Sequence, residues 1–152
     1  MTLAIVRPDG WNFPLLLHVL GAMVFTALLA ALAVILVVAL RGGADRRAAL
    51  VLAARTFTIG VIPSYILMRG AAEWILDKEN ADDDATWIGI GYMATDAGLL
   101  ILIIVGVLVG IATRRVKRER EPGRLLRPAM VLTLLLIATY AVALWAMATK
   151  PA

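Results

Sequence analysis

Residues 48–76, AALVLAARTFTIGVIPSYILMRGAAEWIL, form a long apolar block that carries full charges of both signs. A helix crosses the hydrocarbon of a bilayer with about 20 apolar residues, so the block is long enough to span. At helical spacing Arg55, Thr58, Ile62, Tyr65, Arg69, Glu73 and Leu76 follow one another by steps of three or four, which places nearly every polar side chain on one stripe. Ionisable groups at membrane depth cost about 2.5 to 3.5 kcal/mol each on insertion scales, so the stripe is expected to face other helices or a wet cavity. Pro63 removes one backbone donor and crowds the carbonyl of Ile59, so a bend or a change of helix pitch is expected near residues 58–60.

Working outward, hydrophobic residues make up 62% of the 152-residue chain, against about 45 to 50% in soluble domains. The surplus sits in four blocks, residues 13–40, 48–76, 87–113 and 128–149. The expected fold is therefore all-α, a polytopic bundle of four transmembrane helices forming a single domain. The first block exceeds the apolar core of a cleavable signal peptide and has no basic segment ahead of it, so it reads as retained. Cysteine is absent, which removes disulfides, thiolate nucleophiles and Cys-ligated metals.

The formal charge of +4 does not point to nucleic acid, because the basic residues crowd the short links that flank spans. Arg41, Arg46 and Arg47 lie in the first link, and Arg114, Arg115, Lys117, Arg118, Arg120, Arg124 and Arg127 in the third. Only Arg7, Lys78 and Lys150 lie in the tails and the second link. The positive-inside rule then places both termini outside and the two basic links in the cytoplasm. The expected location is the bacterial inner membrane, crossed several times.

With that orientation, and about 1.5 Å of rise per residue, His18, Arg69 and Asp96 lie roughly 7, 10 and 13 Å from the outer ends of their spans. Glu73 is shallower. Four ionisable groups on three helices thus converge, with Tyr65 below them and Tyr140 available from the fourth helix. The structural reading pairs Arg69 with Glu73 along one helix and with Asp96 between helices. Asp96, Leu99, Ile103, Gly106 and Gly110 share a face, so the acid is expected to lie on a small-residue packing seam.

Enzyme chemistry finds little support. Ser64 and His18 differ in depth by about 11 Å, too far for a nucleophile and its base. A metal held by His18, Glu73 and Asp96 would be opposed by Arg69, and no phosphate-binding glycine loop occurs. Residues 15–22, LLLHVLGA, resemble the opening helix of copper-resistance D type and related haem-binding small membrane proteins of bacteria, in which a helical His is followed a turn later by Gly. The resemblance implies haem as a cofactor, with His18 as an axial ligand, and reaches no further residue; Met93, at roughly 9 Å depth on the third helix, or Met68 is then the candidate second ligand by position, since His and Met together can hold haem iron. The leading expectation remains a non-enzymatic membrane protein, an accessory subunit of a larger complex or a self-associating bundle, whose polar cluster serves packing specificity. Its rivals are a haem or redox protein at His18 and a proton or ion conductor along Tyr65, Arg69, Glu73 and Asp96. The expected partners are the lipid bilayer and either itself or a larger membrane complex.

Overall fold

The computed structural model describes Gly10, residues 12–79 and residues 86–149. Its helices are α1 (Asn12–Arg41), α2 (Arg46–Arg55), α3 (Ile62–Glu79), α4 (Thr86–Lys117) and α5 (Leu126–Thr149). A π-helical segment, Thr56–Val61, joins α2 to α3 without a break, so these three pieces make one span, and a short 3-10 turn, Gly123–Leu125, leads into α5. Among the described residues, four helices are long and apolar enough to cross a membrane. The protein is an all-α, multi-pass membrane bundle.

The spans run somewhat past the apolar blocks that announce them. α4 continues to Lys117 and takes Arg114, Arg115 and Lys117 into its last turn, where cations meet the negative end of the helix dipole. At the first link Gly42 and Gly43 adopt φ of 79° and 89°, left-handed values that end α1 and that a Cβ would disfavour.

Between apolar helices in lipid there is no hydrophobic gain from contact, so association depends on close packing and on polar contacts. α1 is the centre of the bundle and packs on α2, α3 and α5, while α4 packs on α5 and α2. Phe25, Leu29, Leu32 and Leu36 of α1 are fully enclosed, together with Val61, Val105 and Leu136 from the other spans. Opposite faces leave Ile59, Ile66, Leu100 and Val131 outward, as a lipid-facing surface requires. Hydroxyls on the helices are satisfied locally: Thr26, Thr58, Thr95 and Thr133 each donate to the carbonyl four residues earlier. Thr113 also reaches across from α4 to the carbonyl of Leu50 at 3.0 Å.

The proline takes the expected toll on the second span in the form of a wider turn. The Ile62 amide donates to the carbonyl of Phe57, five residues back, and the hydroxyl of Ser64 donates to the carbonyls of Gly60 and Val61 at 2.8 and 3.0 Å. Buried Ala53, Phe57, Val61 and Tyr65 accordingly repeat every four residues through the segment, as a turn wider than an α-helix demands. This changes the face expected from uniform helical spacing. Arg55, Thr58 and Ile62 are exposed, so the polar stripe does not run inward along the whole span. The extra residue in the turn rotates the lower half relative to the upper.

One close approach holds α3 on α1. A Cβ on Gly21 would lie 2.9 Å from the backbone nitrogen of Met68 and 3.0 Å from its Cα. The spans run antiparallel there, since Phe13 meets Trp74 edge to face at 6.1 Å between ring centres and Phe25 meets Tyr65 at 5.8 Å.

Candidate functional site

The polar groups gathered at the end of the bundle where α1 begins and α5 finishes divide into three sets. The first bridges α3 and α4. Arg69 pairs with Glu73 one turn along α3 at 2.5 Å and with Asp96 of α4 at 3.6 Å. Its guanidinium carbon lies 4.5 Å from the centre of the Tyr92 ring, a cation–π distance, and the Tyr92 hydroxyl donates to Glu73 at 3.3 Å. Tyr92 belongs to this set although it escaped the sequence reading. Its spacing of four residues ahead of Asp96 was the available signal.

The second set lies in the core. Tyr65 and Tyr140 both pack on Phe25, Tyr140 edge to face at 4.8 Å. The Tyr65 hydroxyl donates to the carbonyl of Thr95 at 3.1 Å, bracing α3 against α4 without touching Arg69. The Tyr140 hydroxyl is buried and finds no hydrogen-bond partner among the described residues. It sits where Gly98 lacks a side chain, 2.9 Å from the position of a Cβ there. The Tyr65 hydroxyl thus meets the backbone one residue before Asp96, and neither tyrosine hydroxyl is hydrogen-bonded to Arg69, Glu73 or Asp96 among the described residues.

His18 forms the third set. Its Nδ1 lies 2.9 Å from the carbonyl of Met68, which requires Nδ1 to carry a proton and donate. His18 and Gly21 thus both dock on Met68, one through its carbonyl and the other through the space beside its amide. The two residues that carry the LLLHVLGA resemblance have a structural task here, seating α1 on α3.

The charged bridge also differs in setting from the expectation of an interior cluster. The side chain of Asp96 is 68% exposed and that of Glu73 is 51% exposed, against 26% for Arg69. The reason lies in the packing: α3 rests chiefly on α1, whereas α4 rests on α5 and α2. The two helices are left joined by side chains above a cleft of about 700 Å³ walled by Ile62, Ile66, Leu99 and Ile103. On the expected seam, Gly106 receives the Phe57 ring, whose Cε1 lies 2.5 Å from where a Cβ would stand, while Gly110 has nothing within 4 Å. Leu99 and Ile103, 40% and 54% exposed, line the opening.

A second cavity, about 730 Å³, lies on the other side of α3, with His18, Met68, Arg69 and Tyr92 in its wall. Met93 does not line it and is 76% exposed, so the structure does not bring Met93 to His18. Met68 is present, but His18 abuts its backbone directly, whereas an axial pair must face each other across a porphyrin. Neither methionine named as the second ligand is therefore placed opposite His18. Among the described residues, no three of His, Asp and Glu gather as a metal site. No family model matches the sequence, and no curated protein or solved structure matches it.

Proposed function

We propose that the chain is a non-enzymatic membrane subunit whose α3/α4 face receives a transmembrane helix of a partner protein, one that presents a basic or hydrogen-bond-donating side chain at the level of Asp96. The observation that carries this reading is the setting of Asp96. It lies ten residues into α4, about 15 Å along the helix, with its carboxylate 68% exposed and one contact at 3.6 Å to a guanidinium that Glu73 already engages. The set Arg69, Glu73 and Asp96 holds one more negative charge than positive. Ionisable groups at such depth face protein or water, and a donor from a partner helix seated in the cleft would supply the missing charge. Self-association is the less supported form, since a second copy would bring a second excess of negative charge to the same place.

Conduction has less support, because the cleft below the bridge is walled by Phe57, Ile62, Leu102 and Ile103 until Arg114 near the basic end. Haem at His18 has less support because neither Met68 nor Met93 stands opposite its ring. A Soret band in the purified protein, removed by His18→Ala, would overturn that judgement.

The absence of cysteine makes a direct test simple. A single cysteine at Ile103, carrying a photo-crosslinker in native membranes, is expected to capture another polypeptide, and Asp96→Leu is expected to abolish the product. The same probe at Val142, exposed on α5, should capture none. A product of twice the chain's own mass would replace the accessory reading with self-association. No protein product from Ile103 would defeat both.

We further propose that the membrane is the inner membrane of a bacterium and that both termini face outside, on the strength of ten Lys and Arg in two links against three elsewhere at the span ends. Single cysteines between residues 80 and 85 and at the C-terminus are expected to react with an impermeant thiol reagent added to whole cells, and one at Arg118 only after lysis. The opposite pattern would turn the molecule over.

A further inference from the structure

The basic end of the bundle holds a pocket that the proposed function does not use. We infer that it binds the phosphate of an anionic phospholipid. The pocket, about 520 Å³, lies where the last turn of α1, the start of α2 and the entry to α5 meet, and Arg46, Arg124 and Arg127 line it over a floor of Ala39, Leu40 and Leu126. Three arginines face one acid, since Glu121 accepts from Arg46 Nη1 at 2.7 Å. The excess is two positive charges.

Arg46 is held in place before any ligand arrives. Its guanidinium lies against Gly42, where a Cβ would stand 2.6 Å from Nη2, and Glu121 fixes the opposite edge. Its Nε is buried without a partner among the described residues. A guanidinium fixed in this way loses little further freedom when it meets an anion. Arg124 and Arg127 are exposed beside it and have no salt bridge among the described residues.

Position selects the anion. The pocket sits at the ends of spans, at the level where lipid phosphates lie, and its floor is apolar and continuous with the helices that run into the bilayer. A basic pocket between spans suits a lipid headgroup. A free phosphate would use the arginines and leave the floor bare.

The test is native mass spectrometry of the detergent-solubilised chain titrated with phosphatidylglycerol, with phosphatidylcholine, or with soluble glycerophosphoglycerol and inorganic phosphate as competitors. One phosphatidylglycerol is expected to be retained per chain, with affinity falling about fivefold in each of Arg124→Gln and Arg127→Gln, and unchanged in Arg118→Gln, a basic residue outside the pocket. An equal loss in Arg118→Gln would show diffuse attraction and overturn the site. Equal retention of phosphatidylcholine would do the same by showing an apolar crevice, and displacement by inorganic phosphate at comparable concentration would reassign it to a free anion. Circular dichroism of the variants, all exposed substitutions, checks that helices are retained.

Discussion

Gly21→Val is expected to destabilise the bundle by about 3 kcal/mol, read as a lowered midpoint of thermal unfolding in detergent, because an added side chain meets backbone that has nowhere to go. The Cβ would lie within 3.0 Å of the nitrogen and Cα of Met68, so α1 and α3 would have to part. Parting them also stretches the bond from His18 to the Met68 carbonyl, worth about 1 kcal/mol alone, and loosens Phe25 from Tyr65. In lipid no hydrophobic gain between helices compensates for a widened interface. Gly70→Val is the control, since a Cβ there meets nothing within 4 Å and valine costs no more than glycine in helix propensity. Equal melting of the two variants would mean that Gly21 is not a contact point.

The spans were legible because each is an apolar block longer than a bilayer needs, with glycines or charges at its ends. Their pairing was not. A helix that is apolar almost all round offers no stripe to say which side meets protein and which meets lipid, so the choice of α1 as the centre rests on shape. Phe25, Leu29, Leu32 and Leu36 are enclosed, while Leu20, Val24 and Val38 of the same composition are exposed. Glycine positions hold the missing information, yet Gly21, Gly106 and Gly110 look alike in sequence, and only the first two have a neighbour pressed against them.

The candidate site was half legible for a similar reason. Depth counting brought Arg69 level with Asp96, because rise per residue is fixed once the helices run antiparallel. It could not show that α3 and α4 lean on different neighbours, which turns an interior cluster into a bridge at the mouth of a cleft. Pro63 announced a disturbance, but the rotation introduced by six π-helical residues carried Arg55 and Thr58 off the inward face. Steps of three and four hold only while the pitch does.

Arg69→Leu is expected to cost about 2 kcal/mol, and Asp96→Leu far less, because the two partners are not equivalent. Removing the guanidinium strands two carboxylates, Glu73 at 2.5 Å and Asp96 at 3.6 Å from it, and takes away the cation over the Tyr92 ring. An exposed ion pair is worth about 1 kcal/mol at most and a cation over an exposed ring about 0.5 to 1 kcal/mol, so two pairs whose acids are more than half exposed and one ring contact come to about 2 kcal/mol. Removing Asp96 leaves Arg69 neutralised by Glu73 and deletes a charge that the bilayer disfavours. The double variant should therefore be more stable than the sum of single losses allows, by about 1 kcal/mol, in a thermal or denaturant cycle on the purified protein. Simple additivity would mean that the 3.6 Å contact carries no coupling and that Asp96 answers only to a partner outside this chain. In that case Asp96→Leu alone should cost more in native membranes with the cleft filled than in the purified protein, with no coupling to Arg69 in either setting.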